Sequence, residues 1–320
     1  MAQHRSEARE LLAQFDDIAR QRMAPGVLGR LAAIGARSFF AGALGLHHRG
    51  LVREIKAAAE TIGVNAGSLL LANLAYDLEA LGCSTFVRDG TGGPLVARNL
   101  DWNWPGELLR RTCCVVRVRD ALAGPYAIVG WPGFVGALTA LAPGRFAMAV
   151  NYVQRRGAGL PSMLARTALG ASPLPWAMRD VLDRARTFDE AVERVGRARL
   201  LSAALVTLAG TRPGEAVVVE RAPCAAALRW KGRGDLCVAN HYLSARFAQQ
   251  SVDYDEGGSF ERQQSLERST ASQPGLSVRD ALEVLVPNIR PTTQYQAVMR
   301  AEDGLIVVRV PGGRAHAIKI

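Results

Sequence analysis

The chain has 320 residues, of which 49% are hydrophobic and 21% charged, a balance typical of a globular protein with a substantial core. The formal net charge is +10, and almost all of the positive charge is arginine, because Lys56, Lys231 and Lys319 are the only lysines. This charge is spread along the chain without interleaved aromatic side chains, which argues against nucleic-acid binding and favours encounters with anionic small molecules.

The five cysteines do not form a recognisable framework. Their number is odd and no two have CxxC spacing, which argues against both a set of disulfides and a zinc site. They are Cys83, Cys113, Cys114, Cys224 and Cys237.

The beginning of the chain carries no apolar leader, so we expect a cytoplasmic location. The apolar stretch 27–46 is interrupted by Arg30 and Arg37. Charges at that depth are costly in a bilayer, which favours a buried or amphipathic helix over a membrane span. We therefore expect no stable membrane insertion.

Residues 1–82 have helical periodicity. Ser6 is the predicted N-cap of a first helix, an apolar face over residues 51–62 predicts a second, and Asn65 is the predicted cap of a third over residues 66–80. Gly82 then occupies the position of a glycine that ends a helix. The same glycine leaves its carbonyl open to attack by the next residue, since no side chain crowds it.

From Cys83 onward the pattern changes to strands. Cys83 opens a strand that runs to Asp89, residues 90–94 form a turn, and residues 95–101 return as a second strand. The returning strand brings a basic and an acidic side chain back toward the cysteine, namely Arg98 and Asp101. The alternative interpretation is a buried cysteine with an unrelated surface ion pair.

Further strands and helices alternate to the end of the chain, which predicts an α+β protein. Predicted strands cover residues 113–118, 126–130, 147–152, 204–208, 215–220 and 305–310. Predicted helices cover residues 162–169, 175–184, 188–197 and 278–286, the last two capped by Thr187 and Ser277. The polar segment 249–273 is the predicted mobile loop.

The ordered blocks along the chain resemble the autoproteolytic cysteine N-terminal-nucleophile hydrolases. The chain looks closest to the penicillin acyltransferase-like family of peptidase C45 type, whose relatives include acid ceramidase, N-acylethanolamine amidase and the bile-salt hydrolases. The resemblance covers roughly residues 65–310. The blocks are Gly82-Cys83-Ser84-Thr85 with Ala97-Arg98-Asn99-Leu100-Asp101-Trp102, then Ala149-Val150-Asn151-Tyr152, Gly159-Leu160-Pro161-Ser162, Ala239-Asn240-His241-Tyr242 and Phe260-Glu261-Arg262-Gln263-Gln264.

This resemblance implies a four-layer αββα sandwich preceded by a helical N-terminal segment. Residues 1–82 would be a pro-segment and residues 83–320 the catalytic domain, with the two chains staying associated after self-cleavage between Gly82 and Cys83. Cys83 would first attack the Gly82 carbonyl. It would then attack an amide substrate, with its own freed α-amine as the base.

The resemblance also assigns roles to other residues. Asp101 would orient the α-amine, Arg98 would stabilise the thiolate or shape the acyl site, and Asn240 would donate a hydrogen bond to the tetrahedral oxyanion. The alternatives are a surface salt bridge for the charged pair and a turn asparagine for Asn240.

Four residues are predicted to bind substrate. Asn151 has the same two interpretations as Asn240, a donor to the oxyanion or a turn asparagine. Arg262 matches an arginine that supports the nucleophile in the ceramidase-like relatives; a solvated helix-face charge is its alternative. Trp102 and Trp131, together with Trp104, are candidates for the wall of an acyl pocket, with core packing as the alternative.

Two further residues could be catalytic by residue type but are interpreted differently. His241 could pair with a cysteine, although the family uses no histidine base, and it is interpreted as a neighbour of Asn240. Ser162 is interpreted as the N-cap of the following helix rather than as a nucleophile.

The sequence therefore predicts a self-cleaving amidase or acyltransferase that acts on a small linear acyl amide or acyl thioester without metal or organic cofactor. One alternative is an acyl-CoA-dependent N-acyltransferase, in which an amine outcompetes water for the acyl-enzyme. A second is an uncleaved, catalytically silent binding protein. A third is a lipid-handling protein at membrane surfaces.

Overall fold

The computed structural model describes residues 4–22, 27–78, 81–105, 107–154, 160–250, 258–273 and 277–320. The helices are α1 Arg5–Arg22, α2 Val27–His47, α3 Arg49–Ile62, α4 Ala66–Ala72, α5 Ala75–Leu78, α6 Leu108–Arg111, α7 Leu160–Ala168, α8 Leu174–Arg184, α9 Phe188–Arg197, α10 Ser259–Ala271 and α11 Val278–Val284. The strands are β1 Leu81–Gly90, β2 Gly93–Trp102, β3 Cys114–Val118, β4 Tyr126–Gly130, β5 Thr139–Ala142, β6 Phe146–Tyr152, β7 Ala204–Ala209, β8 Ala216–Ala222, β9 Ala225–Trp230, β10 Leu236–Val238, β11 Thr293–Arg300, β12 Leu305–Arg309 and β13 Ala315–Lys319.

Helices dominate the N-terminal segment, as its periodicity predicts. α3 ends at Gly63, whose φ of 77° is the left-handed conformation that glycine adopts readily. The Asn65 side chain accepts the main-chain N–H of Ser68 at 3.1 Å, which confirms it as a cap. The prediction of Ser6 as a cap is wrong, because α1 already begins at Arg5.

The predicted third helix is divided in two. α4 ends at Ala72 and α5 covers Ala75–Leu78, so the helix does not run unbroken from residue 66. The side chain of Asn73, in the break, donates to the carbonyls of Leu69 and Gly133, both at 2.9 Å. This amide therefore connects the broken helix to the loop after β4.

Two antiparallel sheets form the centre of the molecule. One has six strands in the order β10-β1-β2-β11-β12-β13, and the other has seven in the order β3-β4-β5-β6-β7-β8-β9. Alternate residues of β1 face opposite ways: Cys83 and Val87 pack in the main core cluster, whereas Phe86 packs in a second cluster with Leu266 of α10 and Leu282 of α11.

Helices cover both outer faces of the paired sheets. α10 and α11 pack on the six-stranded sheet, and α9 packs on β7, β8 and β9 of the seven-stranded sheet. The α+β class and the αββα layering expected from the sequence are confirmed.

Three local predictions are wrong. Gly82 does not end a helix, because it lies in β1 opposite Asp101. Ser162 is the third residue of α7 and not its cap. The polar segment 249–273 contains α10, so it is not a loop throughout, and its residues 251–257 lie outside the described residues.

Among the described residues, no helix has the length and apolar character needed to cross a bilayer. Likewise, in the part of the chain that the structure describes, no three His, Cys, Asp or Glu side chains are grouped as they would be around a metal ion.

Candidate active site

The β1–β2 hairpin places Cys83 in the interior, where its side chain has no exposed surface. The register pairs Thr85 with Arg98, so the arginine and the cysteine lie on the same face of the hairpin. Nη2 of Arg98 contacts Sγ of Cys83 at 2.9 Å. The sequence expectation that the returning strand brings Arg98 to the nucleophile agrees with this geometry.

Arg98 is held in place by groups of the opposite sheet. Its Nη1 donates to the Leu138 carbonyl at 2.7 Å and to Oγ1 of Thr139 at 3.0 Å. The Thr139 hydroxyl, which accepts from the guanidinium, also shares a hydrogen bond with the hydroxyl of Tyr295, 2.8 Å away. The Tyr295 hydroxyl then donates to the Val129 carbonyl at 3.4 Å. This chain of hydrogen bonds orients the guanidinium toward the sulfur.

Asp101 lies across the hairpin from Gly82 and is buried. Its Oδ1 accepts a hydrogen bond from Oγ1 of Thr293 at 2.6 Å, whereas Oδ2 has no hydrogen-bond partner among the described residues. A Cβ atom on Gly82 would lie 3.1 Å from that Oδ2, so the free oxygen is directed at the backbone next to the nucleophile. Burial raises the pKa of Asp101, and the charge of Arg262 is the largest opposing influence.

The backbone of Cys83 is bound by two distant side chains. Its N–H donates to Oδ1 of Asn240 at 2.8 Å, and its carbonyl accepts from Nη1 of Arg262. Nη2 of Arg262 also donates to Asn240 Oδ1 at 2.8 Å, and Nδ2 of Asn240 donates to the Tyr152 carbonyl at 2.7 Å. Asn240 and Arg262 therefore fix both polar groups of the Cys83 backbone.

Charges around the thiol act in opposite directions. Burial is the largest influence and raises the pKa of Cys83, while the positive charge of Arg98 lowers it. Asp101 raises this pKa through its charge, and Arg262 lowers it. The net direction is upward, which favours the protonated form of the buried thiol.

Asn151, in β6, is buried with no exposed surface. Its Oδ1 accepts from the Thr85 hydroxyl at 2.8 Å, and its Nδ2 donates to the Ala239 carbonyl at 2.9 Å. It thus joins β1 and β6 to the residue that precedes Asn240. Asn151 therefore fixes β1 relative to the backbone that leads into Asn240.

The predicted acyl-wall tryptophans form an aromatic cluster beside this network. Trp102 and Trp131 are each 4% exposed, and their ring centroids are 5.5 Å apart. Trp131 also packs 5.9 Å from the Tyr295 ring, which links the cluster to the Arg98 network. The cluster borders a cavity of about 60 Å³, whose other lining residues include Trp104 and, from α1, Phe15.

His241 is buried next to Asn240, as expected; its Nδ1 lies 2.7 Å from Oγ of Ser259, and its ring stacks on Phe260. Ser259 also accepts the Asn240 N–H at 2.9 Å. Cys113 and Cys114 are free and half-buried.

Three residues that contact the candidate site were not predicted from the sequence. Thr139, Thr293 and Tyr295 contact the site residues from β5 and β11. Their residue types are common in strands, and β5 and β11 themselves were not predicted, so no local signal marks them.

The two packed sheets, with a buried cysteine in the first strand of the β1–β2 hairpin, have the fold of cysteine N-terminal-nucleophile hydrolases. No family model matches the chain. It is, however, similar to N-acylethanolamine-hydrolyzing acid amidase of Oryctolagus cuniculus, with 31% identity over 170 residues, covering 52% of this chain and 46% of the relative. The Mus musculus amidase is 29% identical with the same coverage. Acid ceramidase of Balaenoptera acutorostrata scammoni is 27% identical over 184 residues, again covering 52% and 46%.

Solved structures support the same class at the level of the fold. A Caenorhabditis elegans ortholog of N-acylethanolamine-hydrolyzing acid amidase has a TM-score of 0.55 at 23% identity and covers 68% of this chain and 92% of that one. A mutant of conjugated bile acid hydrolase from Clostridium perfringens has a TM-score of 0.51 at 12% identity, covering 74% and 92%.

This chain is thus a relative of the acid amidases and ceramidases, with the fold of N-terminal-nucleophile hydrolases, which confirms the resemblance seen in its sequence. It spans about half the length of the curated relatives that it matches.

Proposed function

We propose that this chain is a self-cleaving cysteine amidohydrolase that cuts linear, non-peptide amide bonds through a Cys83 acyl-enzyme. The relatives named above are amide hydrolases by name. The observation that carries the proposal is the convergence of Arg98 on the Cys83 sulfur and of Asn240 on the Cys83 nitrogen, with an unpaired Asp101 oxygen beside Gly82.

The first step is self-cleavage. The Cys83 sulfur attacks the Gly82 carbonyl carbon, and the peptide nitrogen of Cys83 leaves as an amine, which gives a thioester. Water then hydrolyses the thioester to a Gly82 carboxylate and restores the thiol. Asn240 accepts a hydrogen bond from this nitrogen, and a Cβ on Gly82 would lie 3.1 Å from Asp101 Oδ2, which supports a role for both acceptors in binding the new α-amine.

The second step uses the same sulfur on a substrate. The α-amine takes the thiol proton as the sulfur attacks the amide carbonyl, and the proton passes to the leaving amine. Water activated by the α-amine then releases the acid. An α-amine with an ordinary pKa of about 8 exchanges protons readily at neutral pH.

The acyl chain is proposed to bind along Trp102 and Trp131. Their cavity of about 60 Å³ is well below the roughly 300 Å³ of a ligand pocket. Phe15 and its neighbours on α1 cover it, so binding requires this helix to move after cleavage.

Intact mass spectrometry tests the proposal. The wild-type chain should give two fragments divided between Gly82 and Cys83, and Cys83→Ala should give one intact chain. Cleaved protein should then hydrolyse N-acyl amides and lose this activity after alkylation of Cys83. An intact wild-type chain at every pH tested would reject self-cleavage. Preferential transfer of the acyl group to an added amine would favour the acyltransferase instead.

A further inference from the structure

A buried carboxylate outside the candidate active site joins the N-terminal segment to the rest of the molecule. Asp77, in α5, is 8% exposed. Its Oδ1 accepts the main-chain N–H of Leu174 at 3.1 Å and the Ser202 hydroxyl at 2.5 Å. Asp77 lies in residues 1–82 and both partners lie in residues 83–320, so the contact crosses the proposed cleavage point.

The Leu174 contact also completes the start of a helix. Leu174 is the first residue of α8, and the preceding Pro173 makes no side-chain capping hydrogen bond. Asp77 supplies an acceptor for a main-chain N–H that the helix itself cannot satisfy.

The same carboxylate lies close in sequence to the scissile bond. Five peptide units connect Asp77 to Gly82. An extended chain spans at most about 3.6 Å per residue, so the anchor lies within about 18 Å of Gly82 along the chain. A fixed Asp77 therefore restricts where Gly82 can move.

We propose that Asp77 is a positioning residue for self-cleavage: it holds the end of the N-terminal segment against α8 and Ser202, restricts the chain that leads into Gly82, and afterwards holds the two fragments together. This inference rests on the proposed function. Asp77 touches no reacting atom and acts through the chain that it anchors.

The contact of Asp77 with Leu174 and Ser202, called here the clasp, depends on pH. Burial raises the pKa of Asp77 to about 7, against the hydrogen bonds of Ser202 and Leu174. The charged side chain that acts on it is Arg166 of α7, which lowers this pKa, whereas α8 and the turn at Ser202 present an N–H and a hydroxyl. Because the folded pKa lies above the unfolded value of 3.8, docking is strongest below pH ~4, weakens by about tenfold per pH unit up to pH ~7, and is constant above.

Hydrogen exchange in a Cys83→Ala background tests the clasp in a single, uncleaved chain. Protection factors of amides 66–78, corrected for intrinsic rates, should fall by about tenfold per pH unit between pH 5 and 7. Asp77→Asn keeps the Oδ1 acceptor but cannot titrate, so its protection should be independent of pH. Asp120→Asn, at an exposed position, is the matched control and should keep the slope. An equal slope in Asp77→Asn would overturn the proposal.

The positioning role is tested in the chain that retains Cys83. Asp77→Ala removes the acceptor and should lengthen the half-time of self-cleavage at pH 6 at least tenfold, whereas Asp77→Asn should cleave at close to the wild-type rate. A wild-type rate in Asp77→Ala would overturn the positioning role. If the unmutated chain never cleaves, the proposed function fails and the positioning role with it, while the exchange experiment still decides whether the clasp exists.

Discussion

Replacing Asp101 by asparagine separates the catalytic role of this carboxylate from its effect on stability. The amide keeps the size of the side chain and the acceptor for Thr293, but it puts an NH₂ group where the unpaired Oδ2 faces Gly82. After cleavage that NH₂ could not accept a hydrogen bond from the protonated α-amine, whereas the carboxylate could. Hydrogen bonds to a charged group contribute about 1.5–3 kcal/mol, so we expect kcat/KM to fall by about 10- to 100-fold.

The pH dependence of activity should also change in Asp101→Asn. A carboxylate beside the α-amine stabilises its protonated form and raises its pKa. Asp101→Asn removes that charge, so the acidic limb of the activity profile should move to lower pH by about one to two units. Thr293→Val is the matched control: it removes the hydrogen bond to Oδ1 but keeps the charge, and its acidic limb should stay in place.

Stability should change in the opposite direction from activity. Burial raises the pKa of Asp101 above its unfolded value, so the ionised carboxylate lowers stability as pH rises through the range between the two values. Asp101→Asn should therefore melt at a higher temperature than wild type at pH 8. A variant with wild-type kcat/KM and an unshifted acidic limb would refute the assignment of Asp101 to the α-amine.

Three further substitutions test other parts of the structure. Gly82→Ala places a Cβ 3.1 Å from Asp101 Oδ2, and overpacking of about 1–3 kcal/mol should slow self-cleavage at least fivefold in a mass-spectrometric time course; an unchanged rate contradicts the close approach. Arg98→Lys keeps the charge but loses the fork that contacts both Cys83 and the opposite sheet. The Cys83 thiol pKa should rise, and self-cleavage should slow about tenfold; an unmoved pH profile would argue against the contact. Thr187→Ala removes the cap of α9 and should lower the free energy of unfolding by about 1 kcal/mol in urea titrations of Cys83→Ala; no loss would show that the cap is dispensable.

Local patterns in the sequence were sufficient for the elements that are built from neighbouring residues. The hairpin around residues 90–94, the cap at Asn65 and the capping box at Ser277 were all predictable, because each depends on residues within a few positions of one another. The hairpin in turn brought Arg98 to Cys83, since register in a short hairpin follows from its turn. Predictions failed where the same residue type fits two local structures. Gly82 is an example: glycine is common at helix ends, but here Gly82 pairs with Asp101 and belongs to β1.

The site as a whole was decided by tertiary structure. The resemblance pointed to Asn240 and Arg262, which lie more than 150 positions after Cys83. The pairing of β10 with β1 brings Asn240 to the Cys83 backbone, and the packing of α10 on the same sheet brings Arg262 to it. The same strand order brings Thr293 to Asp101, and the opposed sheet brings Thr139 to Arg98. The sequence by itself predicted the candidate nucleophile, its hairpin and the class of fold. The partners of the nucleophile depend on pairing between distant strands, and that pairing is set by burial of the whole core rather than by any local pattern.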